Sequence, residues 1–249
     1  MCYDVAYLTK KVDKYAKHYG KPSDWNDLMK RLPPTFHTSG FNHADLPVIT
    51  SKKPFEIQTY EWGLIPAWVK DPASATKLSN QTINARSEEM FSKPSFRDVA
   101  KTNHCLIIVD GFYEHHWHDG KSYPHYIKMK NDEPFAMAGI WAEWNGKRTV
   151  SLLTTSANSL MASIHNNPKV SESRMPVILS KENEEAWLKP ILNDEDKEKS
   201  KQLLIPYEAG EMEAYTVPKL RGKMYLGNVA ETQKRHFYPE LENKQGTLF

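Results

Sequence analysis

Runs of strand length and strand composition recur along this chain, at 46–50, 55–62, 105–110, 124–130, 134–142, 148–154 and 174–179. The segment 55–62 alternates Phe55, Ile57 and Thr59, the period of a strand with one buried face. Helical spacing is confined to a few segments. Val5, Leu8, Val12, Tyr15 and Tyr19 predict a helix over 4–19. A short helix is predicted before Pro33-Pro34, another over 158–165, and two more begin after Ser180 and Asn193. The last has Asp194, Glu195 and Asp196 in its first turn and lysines later, which complements the helix dipole. Residues 33–45 read as loop and 63–82 as irregular. Many short strands with a few helices predict an α+β fold, a single domain around a mostly antiparallel, barrel-like β core flanked by helices. That domain is expected to span 1–238, with a loose polar tail over 239–249.

A chain of 249 residues can bury a substantial core, and neither a repeat nor a linker divides it. Its 39% hydrophobic and 26% charged residues are a soluble globular composition. No run reaches the roughly 18 apolar residues of a membrane helix, and the first residues lack the apolar core of a signal peptide. Two cysteines argue against a disulfide scaffold and suit a reducing cytoplasm. Cys105 opens the apolar run Cys105-Leu106-Ile107-Ile108-Val109 and reads as an inert core residue. The net charge of +2 gives no global support to nucleic-acid binding, so any such binding needs a local patch.

Cys2 is the residue with the most chemistry. Aminopeptidase removal of Met1 leaves a free α-amine beside a thiol, a 1,2-aminothiol. The amine condenses with an aldehyde to an imine, and the thiol closes on the imine carbon to give a thiazolidine. An α-amine pKa of about 7.7–8.0 and a thiol pKa of about 8.5 keep both nucleophiles available near neutral pH. The expectation is an exposed aminothiol within reach of a carboxyl, an amide and an imidazole from distant segments.

Four further segments are polar where a plain strand is expected. They are Trp62-Gly63-Leu64-Ile65-Pro66-Ala67-Trp68, Ile83-Asn84-Ala85-Arg86-Ser87-Glu88, Asp110-Gly111-Phe112-Tyr113-Glu114, and Ile164-His165 with Arg174-Met175-Pro176-Val177-Ile178-Leu179. With the Met-Cys start, in this order, they resemble the SRAP family, abasic-site processing proteins once described as SOS-response-associated peptidases. The resemblance runs from Cys2 to about residue 230. It implies capture of abasic sites in single-stranded DNA as a thiazolidine crosslink, and crosslink reversal; an imine at the abasic carbon also acidifies the neighbouring position, so strand cleavage of the β-elimination (AP-lyase) type is expected beside it. It implies Cys2 as nucleophile, Glu114 as acid/base, His165 as proton-transfer partner and Asn84 beside the sugar. An abasic nucleotide kinks easily and exposes its sugar at small cost, which gives selectivity without sequence readout.

Around that chemistry, Arg86 falls on the same strand face as Asn84, and Arg86, Arg174 and Ser87 are expected to hold DNA, the arginines as phosphate forks. Trp68 is assigned to base stacking and Trp62 to the core. Glu114 is expected at the sheet rim after a Gly-Phe-Tyr turn. His18, His37, His43 and His125 read as structural. His165 and Arg174 can share a site only if residues 166–173 loop out. Many relatives carry Gly-Arg after the cysteine, and here Tyr3-Asp4 stands there. That carboxylate removes one phosphate contact or pairs with a nearby arginine. His115, His116 and His118 lack the Cys-x-x-Cys or His-x-x-x-His companions of a metal site, and no cofactor is implied.

Two other readings stay open: a cysteine autopeptidase, against which no propeptide longer than Met1 precedes Cys2, and a non-enzymatic adaptor. A monomer suffices for a suicide-type trap, and the expected location is the cytoplasm, at the nucleoid or replication fork. The terminal Gln245-Gly246-Thr247-Leu248-Phe249 resembles a bacterial sliding-clamp-binding peptide, with Gln245, Leu248 and Phe249 as its contacts. Deleting residues 245–249 is therefore expected to abolish binding to purified clamp in a pull-down. Equal binding, or none by either protein, sinks that assignment.

Overall fold

The computed structural model describes residues 2–19 and 25–241, and the terminal pentapeptide lies outside them. The first half of the fold runs β1 (Asp4–Tyr7), α1 (Val12–Tyr19), α2 (Trp25–Arg31), β2 (Thr35–Ser39), β3 (Asp45–Thr50), β4 (Lys53–Trp62), α3 (Pro72–Ser79) and β5 (Asn84–Arg86). There follow β6 (His104–Val109), β7 (Gly111–His118), β8 (Lys121–Met129), β9 (Phe135–Trp144), β10 (Lys147–Ser156) and α4 (Ser159–Ile164). The chain closes with β11 (Arg174–Pro176), β12 (Ile178–Leu179), α5 (Lys181–Leu188), α6 (Asp194–Gln202) and β13 (Met212–Thr216). No helix among the described residues is long and apolar enough to cross a membrane.

Two sheets make the core. One has the order β13-β8-β7-β1-β2. The other runs β11-β10-β4-β3-β6-β9-β12, with β5 on β10 and a further β9–β10 pairing that gives it a ring-like form. Every pairing is antiparallel except those of β10 with β4 and β5. The fold is thus α+β with a mostly antiparallel, barrel-like core, as the strand pattern predicts.

The sheets join where β6 runs into β7. Asp110 sits buried at that corner. Its carboxylate accepts from Thr9 N at 2.7 Å, from Thr9 Oγ1 at 2.8 Å and from the Tyr15 hydroxyl, while its own N–H donates to Ala6 O at 2.8 Å. A buried carboxylate needs such donors, and these tie the N-terminal segment to the corner.

Residues 4–7 are strand, not the start of the predicted helix. All four are buried, and Val5, Ala6 and Tyr7 read as a short apolar run, which periodicity alone cannot separate from a helix. Leu8, at φ 56°, turns the chain before α1 begins. Residues 35–39, expected as loop, form the edge strand β2, and the irregular stretch 63–82 contains α3, capped by the Asp71 carboxylate on Ser74 N at 2.9 Å. Gly111, Phe112 and Tyr113 are strand rather than turn, so Glu114 lies within β7 and not after it. The cap at Asn193 forms as expected, accepting from Asp196 N at 2.8 Å, whereas Ser180 holds the N-cap position of α5 without a side-chain cap hydrogen bond; Asn158 caps α4, accepting from Met161 N at 2.8 Å.

Gly111 has a packing reason. A Cβ there would stand 2.5 Å from the Tyr126 hydroxyl and 2.6 Å from Ile127 O. Gly111→Ala is expected to cost about 2 kcal/mol, the scale of overpacking a fixed backbone contact, measured as the shift in urea-unfolding free energy. An unchanged midpoint would show that β7 and β8 can separate at no cost.

Candidate functional site

Strand β1 carries the N-terminal residues between two strands of a sheet, pairing Asp4 with Ser39 on one side and with Tyr113 on the other. Cys2, two residues upstream, is 0% exposed and packs in the main core. The exposed aminothiol expected at the chain's front edge is therefore not exposed in this form. Its S–H points to Asp4 O at 3.8 Å. Burial, and next the nearby Glu114 charge, push the thiol far above its usual pKa, so it is a neutral thiol.

Three distant segments converge on it. Parallel pairing of β5 with β10 sets Asn84 opposite Leu152, Ala85 opposite Leu153 and Arg86 opposite Thr154. Ala85 is buried, and Asn84 and Arg86 share the other, half-buried face. Asn84 Nδ2 donates to Cys2 O at 2.8 Å. Its Oδ1 is buried with no partner among the described residues. Leaving such an acceptor unmatched costs about 1–3 kcal/mol, so the position is suited to a donor on a ligand or on a freed α-amine. From β7, Glu114 is 7% exposed and accepts from His115 N at 3.0 Å. Burial raises its pKa above the ordinary carboxylate range.

His165 follows α4 and is 6% exposed. Its Nδ1 lies 2.8 Å from Arg174 N, which can only donate, so a neutral ring carries its proton on Nε2. Ser173 Oγ donates to His165 O at 2.7 Å. Residues 166–173 thus leave and return within one hydrogen bond, and His165 and Arg174 are neighbours as the looping-out requires. Burial lowers the His165 pKa from 6.5 to about 4, so the imidazole is neutral at pH 7.

Glu114, His165, Arg86 and Arg174 line one cleft of about 430 Å³, together with Tyr3 and Glu172. Arg86 and Tyr3 also line a second, smaller cleft of about 160 Å³ that contains Asn84. The remaining expected DNA contacts fall outside both. Trp68 is exposed, and Ser87 is buried, its N–H held by Thr154 O at 3.0 Å. Trp62 is fully buried, donating Nε1–H to Ile83 O at 2.9 Å. Arg174 is buried and already bound: Nη2 to Glu88 at 2.7 Å and to Thr154 O at 2.8 Å, Nη1 to Glu172 at 2.8 Å. Among the described residues no His, Cys, Asp or Glu cluster could hold a metal ion.

Asp4, the departure at the N-terminus, is buried, paired with His37 Nε2 at 3.0 Å and Arg221 Nη2 at 3.0 Å. His37 Nδ1 in turn meets the Tyr225 hydroxyl at 2.7 Å. Lys219 and Arg221 also line the larger cleft, and no motif marks them in the sequence. The basic run Lys219-Leu220-Arg221-Gly222-Lys223 was the available signal, and it gives no hint of which cleft it reaches.

A histidine held neutral in the native state destabilises the fold once the unfolded chain begins to protonate. The sign follows from proton binding: between pH 6.5 and about 4 the unfolded state takes up a proton that native His165 does not, so stability is present above 6.5 and is lost as pH falls. His165→Gln is expected to flatten part of that loss, read as the unfolding midpoint against pH. An unaltered slope would show His165 charging freely in the native protein.

The chain matches the model of the SOS response associated peptidase (SRAP) family over residues 1–224. It is 40% identical over 214 residues to abasic site processing protein YoqW of Bacillus subtilis (strain 168), covering 80% of this chain and 90% of that protein. It is 30% identical over 143 residues to abasic site processing protein HMCES of Xenopus tropicalis, covering 52% of this chain and 42% of that one. Its fold matches the crystal structure of a Bacteroides thetaiotaomicron protein with TM-score 0.81 and 32% identity, over 95% of this chain and 100% of that one. A Bordetella bronchiseptica protein matches with TM-score 0.72 and 26% identity, over 87% of this chain and 99% of that one. With the converging segments matched along with the fold, the chain belongs to the SRAP family.

Proposed function

We propose that this protein processes abasic sites in single-stranded DNA by capturing them on Cys2. The observation that carries the reading is the 2.8 Å hydrogen bond from Asn84 to Cys2 O, where the cleft containing Asn84 and the cleft lined by Glu114 and His165 share Tyr3 and Arg86. The names of the relatives YoqW and HMCES support the substrate.

Removal of Met1 frees the Cys2 α-amine. The amine attacks the aldehyde carbon of the ring-opened sugar, and loss of water gives the imine. The thiol sulfur then bonds to the imine carbon, its proton passing to nitrogen, which closes a five-membered thiazolidine. Asn84 fixes the backbone that bears both nucleophiles, so the attack is effectively intramolecular once the sugar is bound. Glu114, its pKa raised by burial, serves as the acid for water loss and the base for the neutral thiol. His165, neutral with its proton on Nε2, donates to the sugar oxygen and relays protons. The same imine acidifies the neighbouring carbon, the route to β-elimination and strand cleavage.

Lys219, Arg221 and Arg86 supply the positive lining that a chain of net charge +2 does not supply globally. The sliding-clamp tail remains part of this proposal, as a separate docking element.

The trimmed protein, incubated with single-stranded DNA bearing one abasic site, is expected to give a shifted band on a denaturing gel. Cys2→Ala should abolish it, and Asn84→Ala should slow its formation at least about ten-fold, the scale of a lost positioning contact. A band that survives Cys2→Ala overturns the assignment. Release of Met1 without DNA, dependent on Glu114, would favour the peptidase reading instead.

A further inference from the structure

Glu172 belongs to the looped-out segment between His165 and Arg174, and nothing in the proposed chemistry uses it. Its Oε1 accepts from two guanidinium groups at once, Arg86 Nη1 at 2.7 Å and Arg174 Nη1 at 2.8 Å. The two arginines are not equivalent. Arg174 is 3% exposed and has Glu88 at 2.7 Å as a second carboxylate, so its charge is matched without Glu172. Arg86 is 39% exposed and Glu172 43%. The contact between these last two is thus the one that an incoming anion can reach.

Its chemistry is that of a strand phosphate. An anionic oxygen 2.7 Å from a guanidinium nitrogen is the same charge-assisted contact whether it comes from a carboxylate or a phosphodiester. The segment is built to let the carboxylate go. Its ends are pinned, Asn166 Oδ1 by Trp117 N at 2.7 Å, and Ser173 Oγ on His165 O at 2.7 Å. Between those pins, residues 168–172 are exposed. Glu172 can therefore swing away without disturbing His165.

We propose that Glu172 occupies the place of a strand phosphate on Arg86, and that DNA must displace it, so that this one carboxylate sets the affinity and salt dependence of strand binding. The inference rests on the single-stranded DNA reading above. An exposed ion pair is weak, and its release lowers affinity by at most about five-fold. The displaced carboxylate gathers cations from solution, which offsets the counterions that the phosphate sheds. The salt slope is then shallower by about 0.7, the value for one single-strand phosphate.

The test is fluorescence anisotropy with a labelled single strand lacking any abasic site, across a potassium chloride series. Glu172→Gln is expected to bind about three- to five-fold more tightly at low salt, with a log–log slope steeper by about 0.7. The gain should vanish when Arg86→Gln is added. Equal or weaker binding by Glu172→Gln at an unchanged slope overturns the proposal and makes Glu172 a brace for the arginines. A gain that persists in the double variant also overturns it, because Arg86 would not be the seat. Binding by neither wild type nor Glu172→Gln instead overturns the DNA reading itself.

Discussion

The placement of β1 between β2 and β7 is the constraint on which the site depends. Chain termini ordinarily fray, because little holds their backbone groups. Here the ladder pairs Asp4 and Val5 on both sides, Asp110 fastens the following residues, and Cys2, two residues upstream, has no exposed surface. A nucleophile at a chain end is useful only if it stays where its partners are. Central-strand pairing supplies that rigidity, and the Asn84 amide adds a cross-link from a segment 82 residues away.

Buried charge is the second element of that rigidity. Asp4 faces inward. Its two oxygens go to His37 and Arg221, from β2 and from the segment after β13. A buried carboxylate left without those partners would be costly, so the three groups are interdependent. Arg221 joins two parts of the architecture, since it also lines the cleft. The residues beyond it grip the edge of the same sheet: Asn228 Oδ1 accepts from Phe36 N at 2.6 Å and His37 N at 3.2 Å. That contact covers an edge strand whose free backbone would otherwise invite pairing with another chain.

Inside the cleft the same physics acts in opposite directions on two groups. Burial disfavours charge, so it raises Glu114 and lowers His165. The result is a carboxyl whose proton is held more tightly than usual beside an imidazole that stays neutral, a difference set by environment rather than by residue type. The backbone N–H of Arg174 then fixes which imidazole nitrogen carries the proton.

Much of this was legible in the chain itself. The Asn193 cap, the alternation placing Asn84 and Arg86 on one face, and the order of the short motifs are local signals, carried by residues a few positions apart. Gln245, Leu248 and Phe249, proposed as clamp contacts from a motif alone, lie outside the described residues. Other features depend on partners far away in sequence. Residues 4–7 carry spacing that a helix or a buried strand satisfies equally, and only flanking strands on both edges select the strand. Glu114 seemed to follow a turn because Gly111 is a turn residue in isolation, whereas the ring of Tyr126 is what requires glycine there. The burial of Cys2, the inward Asp4 and the carboxylate shared by Arg86 and Arg174 leave no local trace. Pattern and composition determined which elements form and which side chains can do chemistry; the long-range register of the strands decided which of those side chains meet, because burial and ion pairing arise only between residues that folding brings together.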